Sequence, residues 1–264
     1  MDKIPYSVCI LTFNSGDSLD KTLISVKDFS EIIINDGGSK DNTLEIAKNY
    51  NCKIISQDVK FKNSDGSLAD FSGVKNQMID VAKYSWVLMV DSDEYVSKEL
   101  VDYIRHLDQS KKNILYNIAR KYIVANQIIK HSSTYPNYQI RLFNKSLNLK
   151  YIKPIHEKLN YSNEYKVEKV NQPFYVAMPD FIEFKRKGLK YLNMQLNMWD
   201  KLTFKQWFKW VLIFHLRASL GYALRLFLLQ FKVGKKLPLN YELFQIYYNF
   251  LLIFRSIKLI NKFK

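Results

Sequence analysis

The sequence predicts an α/β protein in which a mostly parallel central sheet is followed by a helical, amphipathic C-terminal extension. Three observations lead there. From Tyr6 to about Leu107, short apolar runs alternate with helix-spaced patterns, the order expected of βαβ units. The runs "SVCILTF", "EIIIND" and "WVLMV" are apolar almost throughout rather than alternating, as strands covered on both faces are. From about Asp180 the composition shifts to long stretches rich in Phe, Trp, Tyr, Leu, Lys and Arg.

The elements follow in order. "SVCILTF" is a first strand, and Leu19, Leu23 and Val26 then recur at helical spacing. "EIIIND" and "KIIS" are strands separated by the helical "DNTLEIAKNY". The helical "FSGVKNQMIDVAKY" leads into the strand "WVLMV". Ser97 stands at the N-cap position of the helix in "SKELVDYIRHL", with Glu99 in its first turn. Between Lys111 and Pro179, "NILYNIARKYIVANQIIK" and "YKVEKVNQPFYVAM" read as further strands. The expected division is a domain over 1–179 and a helical extension over 180–264. Parallel sheets bind ligands beyond the carboxyl ends of their strands. That singles out Thr12 to Asn14, Asp36 to Ser39 and Asp91 to Glu94.

Composition narrows the partners. The chain has 264 residues, 47% of them hydrophobic, which is enough for a core. A formal charge of +15 points to an anionic partner: nucleic acid, a phospholipid surface or a phosphorylated substrate. No RNP, helix-turn-helix or zinc-finger pattern is legible, so nucleic acid is not expected. Cys9 and Cys52 are the only cysteines, one inside an expected strand and one beside another, which argues for a reducing compartment. The N-terminus runs straight into "YSVCILTF" without a signal-peptide pattern, so a cytoplasmic location is expected.

The carboxylates that end "YSWVLMVDSDEYVS" pose the sharpest chemical question. At strand spacing, Asp91 and Asp93 leave the same side of an extended segment and converge on one ion. Hard oxygen ligands suit Mg2+ or Mn2+, with a substrate diphosphate completing the shell. A solvated turn is the plainer reading; helix capping is not, because Ser97 already fills that role.

"VCILTFN", "IIINDGGSKDNT" and "GVKNQMIDVAKYSWVLMVDSDEY", taken together and in order, resemble the family 2 glycosyltransferases of the GT-A fold. The likeness covers roughly the first hundred residues. The later "YQIRLFNK" and "IHEKL" are similar to the small lipopolysaccharide-core glucosyltransferases. The resemblance implies roles residue by residue. Thr12, Phe13 and Asn14 match the loop around the donor nucleoside, and Asp36 the carboxylate on uracil of a UDP-sugar; its plainer reading is a tight turn. Lys75 and Asn76 stand where the family has Arg-Asn; Lys keeps the charge without the planar fork. Asp91 matches the ribose- or metal-side carboxylate and Asp93 the metal ligand.

In the resemblance, Glu157 of "PIHEKL" occupies the place of the general base of an inverting displacement; its plainer reading is a surface acid paired with Lys153 or Lys158. His156 is open to phosphate, metal or acceptor contact, or to capping a turn. Arg141 has the donors diphosphate recognition favours, and equally those for a cross-strand carboxylate. Two departures stand out: Tyr84 replaces a usual Gly, and "NQPFYVAMPDF" lacks the further metal-binding histidine.

The C-terminal third completes the expectation. In "DKLTFKQWFKWVLIF", Lys201, Lys205 and Lys209 lie apart from a face of Phe204, Trp207, Phe208 and Val211. Uninterrupted apolar runs fall short of the ~20 residues that span a bilayer, so an interfacial seat on an anionic membrane is expected. Packing on the catalytic domain or between copies of the chain is the plainer alternative. His215 is expected to be a packed histidine. The expected activity is transfer of a hexose from a UDP-sugar, with Mn2+ or Mg2+, to a lipid-linked or lipopolysaccharide-core acceptor. A protein acceptor, or a non-catalytic membrane-binding module, are the alternatives.

Overall fold

A computed structural model describes residues 2–155, 157–197, 199 and 201–260. The chain forms two units, one of residues 1–121 with 136–176 and a second of 122–135 with 177–264. The second unit thus takes in an excursion, 122–135, that the division at 179 assigns to the first.

The first unit carries the sheet. Strands β1 (Ile4–Thr12), β2 (Phe29–Asp36), β3 (Lys53–Ser56) and β4 (Trp86–Asp91) are parallel in the order β3-β2-β1-β4. Helices α1 (Gly16–Val26), α2 (Thr43–Asn49) and α3 (Phe71–Val81) provide the crossovers. Tyr6, Val8 and Ile10 of β1 pack with Leu19, Leu23 and Val26 of α1, while Cys9 packs on the other face with Met78 and Ile79 of α3. Burial on both faces explains why the strands read as unbroken apolar runs.

Beyond β4 the sheet turns antiparallel. The chain reverses at Ser92 and Asp93, forms the short β5 (Glu94–Val96) and enters α4 (Lys98–Arg105). Ser97 caps α4 as expected, its hydroxyl accepting from the Leu100 amide at 3.1 Å. Strand β6 (Ile114–Val124), the hairpin strand β7 (Gln127–Ile128), β8 (Tyr138–Asn144), the paired β9 (Tyr151–Ile152) and β10 (Lys158–Leu159), and β11 (Lys166–Ala177) follow. β8 lies antiparallel beside β4, with Leu142 opposite Leu88.

The second unit is helical. α5 (Phe181–Asn197) is followed by one continuous run over Phe204–Leu229. It opens as the single turn α6 (Phe204–Gln206), capped by Thr203, passes through a π-helical stretch (Trp207–Ile213) and continues as α7 (Phe214–Leu229). α8 (Leu239–Ser256) closes the unit. The expected face of Phe204, Trp207, Phe208 and Val211 is divided: Trp207 and Val211 are buried against Ile253 of α8, whereas Phe204 and Phe208 are exposed. The run is also longer than its interrupted apolar pattern implied, being 26 residues and apolar enough to cross a membrane.

Candidate active site

The strand ends meet as the register dictates. Thr12 pairs with Asp36 across β1 and β2, and Leu11 with Asp91 across β1 and β4. The Asp36 carboxylate accepts from the Thr12 hydroxyl (2.9 Å), the Ser39 hydroxyl (2.6 Å) and the amides of Gly38 and Ser39 (both 2.8 Å). A carboxylate offers about four acceptor sites, so the turn fills them. The tight-turn reading of Asp36 is therefore realised, and contact with uracil would require one of these donors to yield. Asn14, with φ +49°, joins the two loops: its amide donates to the Ser39 hydroxyl and its Oδ1 accepts from the Lys40 amide. Phe13 is 63% exposed and lies over Gly37, where an added Cβ would come within 3.0 Å of its ring.

Asp91 and Glu94 have cationic partners within the chain. Arg141 of β8 grips Asp91 through two hydrogen bonds, of 3.1 and 2.5 Å, and reaches Glu94 at 3.0 Å. Arg120 of β6 forms a second ion pair with Glu94. Glu94 is fully buried and Arg141 nearly so. Arg141 is engaged with a carboxylate on the neighbouring strand, the alternative its sequence context left open. The expected strand spacing is corrected: Asp91 and Asp93 do not share a strand face, because the turn at Ser92 and Asp93 intervenes. Loss of water around Asp91 would raise its carboxyl pKa, but the Arg141 guanidinium, aided by Lys75, holds it well below the usual carboxylate range. Burial would lower the Arg141 pKa; Asp91 and Glu94 reverse that effect and raise it.

A third pair lies alongside. Lys75 of α3, 7% exposed, binds Oε1 of Glu157 at 2.5 Å and sits over the Tyr151 ring. The loop bearing Glu157 is tied to α3 by the Phe71 amide, which donates to the Pro154 carbonyl at 3.0 Å, after Lys153 adopts φ +72°. Glu157 is therefore paired, but with Lys75 rather than Lys153 or Lys158. Asn76 is tied to β9: it accepts from the Tyr151 amide (2.8 Å) and donates to the Tyr151 carbonyl (3.0 Å). His156 lies outside the described residues.

The fit to a divalent cation is narrower than expected. Among the described residues no group of three or more His, Cys, Asp or Glu side chains is placed to hold a metal ion. Asp91 fits poorly as a ligand, since both of its oxygens face Arg141. Asp93, exposed in the turn, fits the sparse coordination in which one carboxylate and a substrate diphosphate share the ion.

The glycosyl transferase family 2 model matches residues 7–209. The chain belongs to that family. It is 35% identical over 91 residues to the prophage-derived glycosyltransferase SunS of Bacillus subtilis, covering 34% of this chain and 20% of SunS. An uncharacterized glycosyltransferase of Rickettsia bellii is 30% identical over 146 residues, or 53% of this chain and 46% of that protein. A TPR repeat-containing protein of Synechococcus elongatus is 28% identical over 153 residues, covering 57% of this chain and 34% of its own length. The chain thus spans less than half the length of these relatives. The crystal structure of Staphylococcus aureus TarS aligns over 96% of this chain and 55% of its own, at 15% identity and a TM-score of 0.50, in keeping with the GT-A fold.

In this family 2 glycosyltransferase, several residues that shape the site escaped the sequence. A polar stripe on α1 holds the Asp91–Glu94 turn. Ser15 donates to the Ser92 hydroxyl (2.9 Å), Ser18 to the Ser92 carbonyl (2.8 Å), and Thr22 to the carbonyls of Ser92 (3.0 Å) and Glu94 (2.7 Å). Their i, i+3, i+7 spacing was a legible signal for a shared helix face. Glu94 and Arg120 carried no comparable signal, since only the sheet order brings them together.

Proposed function

We propose that the chain transfers a hexose from a UDP-sugar to a lipid-linked or lipopolysaccharide-core acceptor at the cytoplasmic face of a membrane, with inversion at the anomeric carbon. The observation that carries the reading is the Lys75–Glu157 pair. It holds a carboxylate by one oxygen beside the strand ends where ligands of such sheets bind. A relative named poly(ribitol-phosphate) β-N-acetylglucosaminyltransferase TarS, 29% identical over 117 residues, supports sugar transfer as the activity; these residues are 42% of this chain and 20% of TarS.

In this reading Phe13 is the platform for the nucleobase. The α1 stripe and Arg141 fix the turn that presents Asp93. Glu157 uses Oε2, with Oε1 held by Lys75, to take the acceptor proton as the acceptor oxygen bonds to the anomeric carbon. The bond from that carbon to UDP breaks, and the electron pair leaves with the diphosphate. Asp93, together with the donor diphosphate, would hold Mn2+ or Mg2+, which would neutralise the charge on departing UDP.

Glu157→Gln tests the assignment, because it keeps the shape and removes the base. UDP affinity is expected to persist while kcat falls by roughly 10²–10⁴-fold, the usual contribution of general-base catalysis. Unchanged turnover, or loss of UDP binding instead, would overturn the role.

A further inference from the structure

The second unit has apolar clusters around Ile129, Leu192 and Trp207, yet one of its helices carries polar residues inward and large apolar ones outward. In the helix Phe204–Leu229 the buried stripe is Trp207, Val211, His215 and Ser219, so half of it is polar. α8 buries Glu242, Asn249 and Ser256, seven residues apart, alongside Tyr241, Phe244, Leu252 and Ile253. Polar groups meet along this seam: Trp207 Nε1 donates to the Ser256 hydroxyl at 2.9 Å, and His215 Nδ1 lies 2.6 Å from Asn249 Oδ1. The Ser133 amide donates to Glu242 at 3.0 Å. The large apolar side chains point the other way. Leu216, Leu220, Leu224, Phe227 and Phe231 recur every three to four residues at 43%, 72%, 58%, 60% and 73% exposure. A water-facing helix shows the reverse order, with its apolar stripe inward. Polar residues inside and apolar ones outside suit a helix whose surroundings are hydrocarbon.

Charge identifies which apolar medium. Residues 122–135 and 177–264 contain 17 Lys and Arg against four Asp and Glu, whereas the rest of the chain has 23 against 21. Nearly all of the +15 therefore resides in the unit that exposes the apolar face. Two copies so cationic would repel one another, and a nucleic acid would leave the leucines in water. An anionic leaflet satisfies both the charge and the apolar surface.

We propose that this unit is an integral seat in an anionic bilayer: the Leu216–Phe231 face enters the hydrocarbon, and lysines such as Lys205, Lys209, Lys232 and Lys235 bind lipid headgroups. The inference goes beyond the interfacial helix expected from sequence, because the inserted face is a different one and excludes Trp207 and Val211. It deepens the lipid-linked-acceptor reading and rests on that reading only for its biological purpose, since binding is measured without donor or acceptor.

The test is flotation of the full chain with phosphatidylcholine vesicles, with and without phosphatidylglycerol, followed by a high-salt wash. Co-flotation with the anionic vesicles that survives the wash is expected, because apolar contacts are not screened. Leu216→Gln, Leu220→Gln and Leu224→Gln combined should weaken retention by about tenfold or more per leucine, from the transfer energy of each side chain. Circular dichroism checks that this surface variant stays folded. The proposal falls if wild type does not float, if salt strips it fully, if the folded variant binds like wild type, or if a stable oligomer forms and ignores vesicles. If flotation fails while Glu157→Gln behaves as expected, the seat alone is wrong.

Discussion

Replacing Arg141 with Met separates a structural counterion from a diphosphate ligand. Arg141 bonds Asp91 twice and shares the fully buried Glu94 with Arg120, so its removal leaves two carboxylates and one guanidinium. Breaking a buried ion pair by deleting one partner costs about 3–5 kcal/mol. Asp91, 38% exposed, contributes the smaller part because water screens it; the buried Glu94 dominates.

The pH dependence carries a sign. Asp91's folded pKa is depressed, so its stabilisation is present above the unfolded carboxyl value near 3.9 and fades as pH falls toward the folded value. The Asp91 share of the gap between wild type and Arg141→Met should therefore be present at neutral pH and shrink below about pH 4. Urea denaturation at pH 7 and at pH 3 measures both quantities. A variant of wild-type stability that has merely lost UDP affinity would refute the counterion account and return Arg141 to the donor.

Two further outcomes follow from the surrounding contacts. Thr22→Val keeps the side-chain shape and removes the hydroxyl that spans the Ser92 and Glu94 carbonyls, so a stability loss of about 0.5–1.5 kcal/mol is expected. If the stripe positions Asp93, the Mn2+ concentration for half-maximal activity should also rise in that variant; an unmoved metal requirement would reduce the stripe to ordinary packing. Lys75→Met should lower kcat with UDP affinity largely kept, because its partner is Glu157, and steady-state kinetics with UDP titration reads the split. Weaker UDP binding at normal kcat would instead place Lys75 on the diphosphate.

The sheet was legible because its signal is local. "SVCILTF" and "WVLMV" are apolar on both faces, and both faces are covered by helices. Ser97 likewise announced its helix by position alone. What failed was set by distant pairing. Arg141 meets Asp91 only because β8 lies against β4, fifty residues away in sequence. The turn at Ser92 and Asp93 broke the strand spacing assumed for the two aspartates. In the C-terminal helices, alternation of aromatics and lysines marked amphipathicity but not which face is buried. Trp207 and Val211 turn inward through the π-helical stretch, and His215, Ser219 and Asn249 form a polar interior that a helical pattern tuned to water would place outside.

Calorimetric titration with UDP, with and without Mn2+, on the wild-type chain and on Asp93→Ala addresses the central claim most directly. Binding that Mn2+ strengthens is expected in wild type, with the strengthening lost when Asp93 is removed. No UDP binding under either metal condition would contradict a UDP-sugar donor, and Mn2+-dependent binding intact in Asp93→Ala would contradict the place given to that carboxylate.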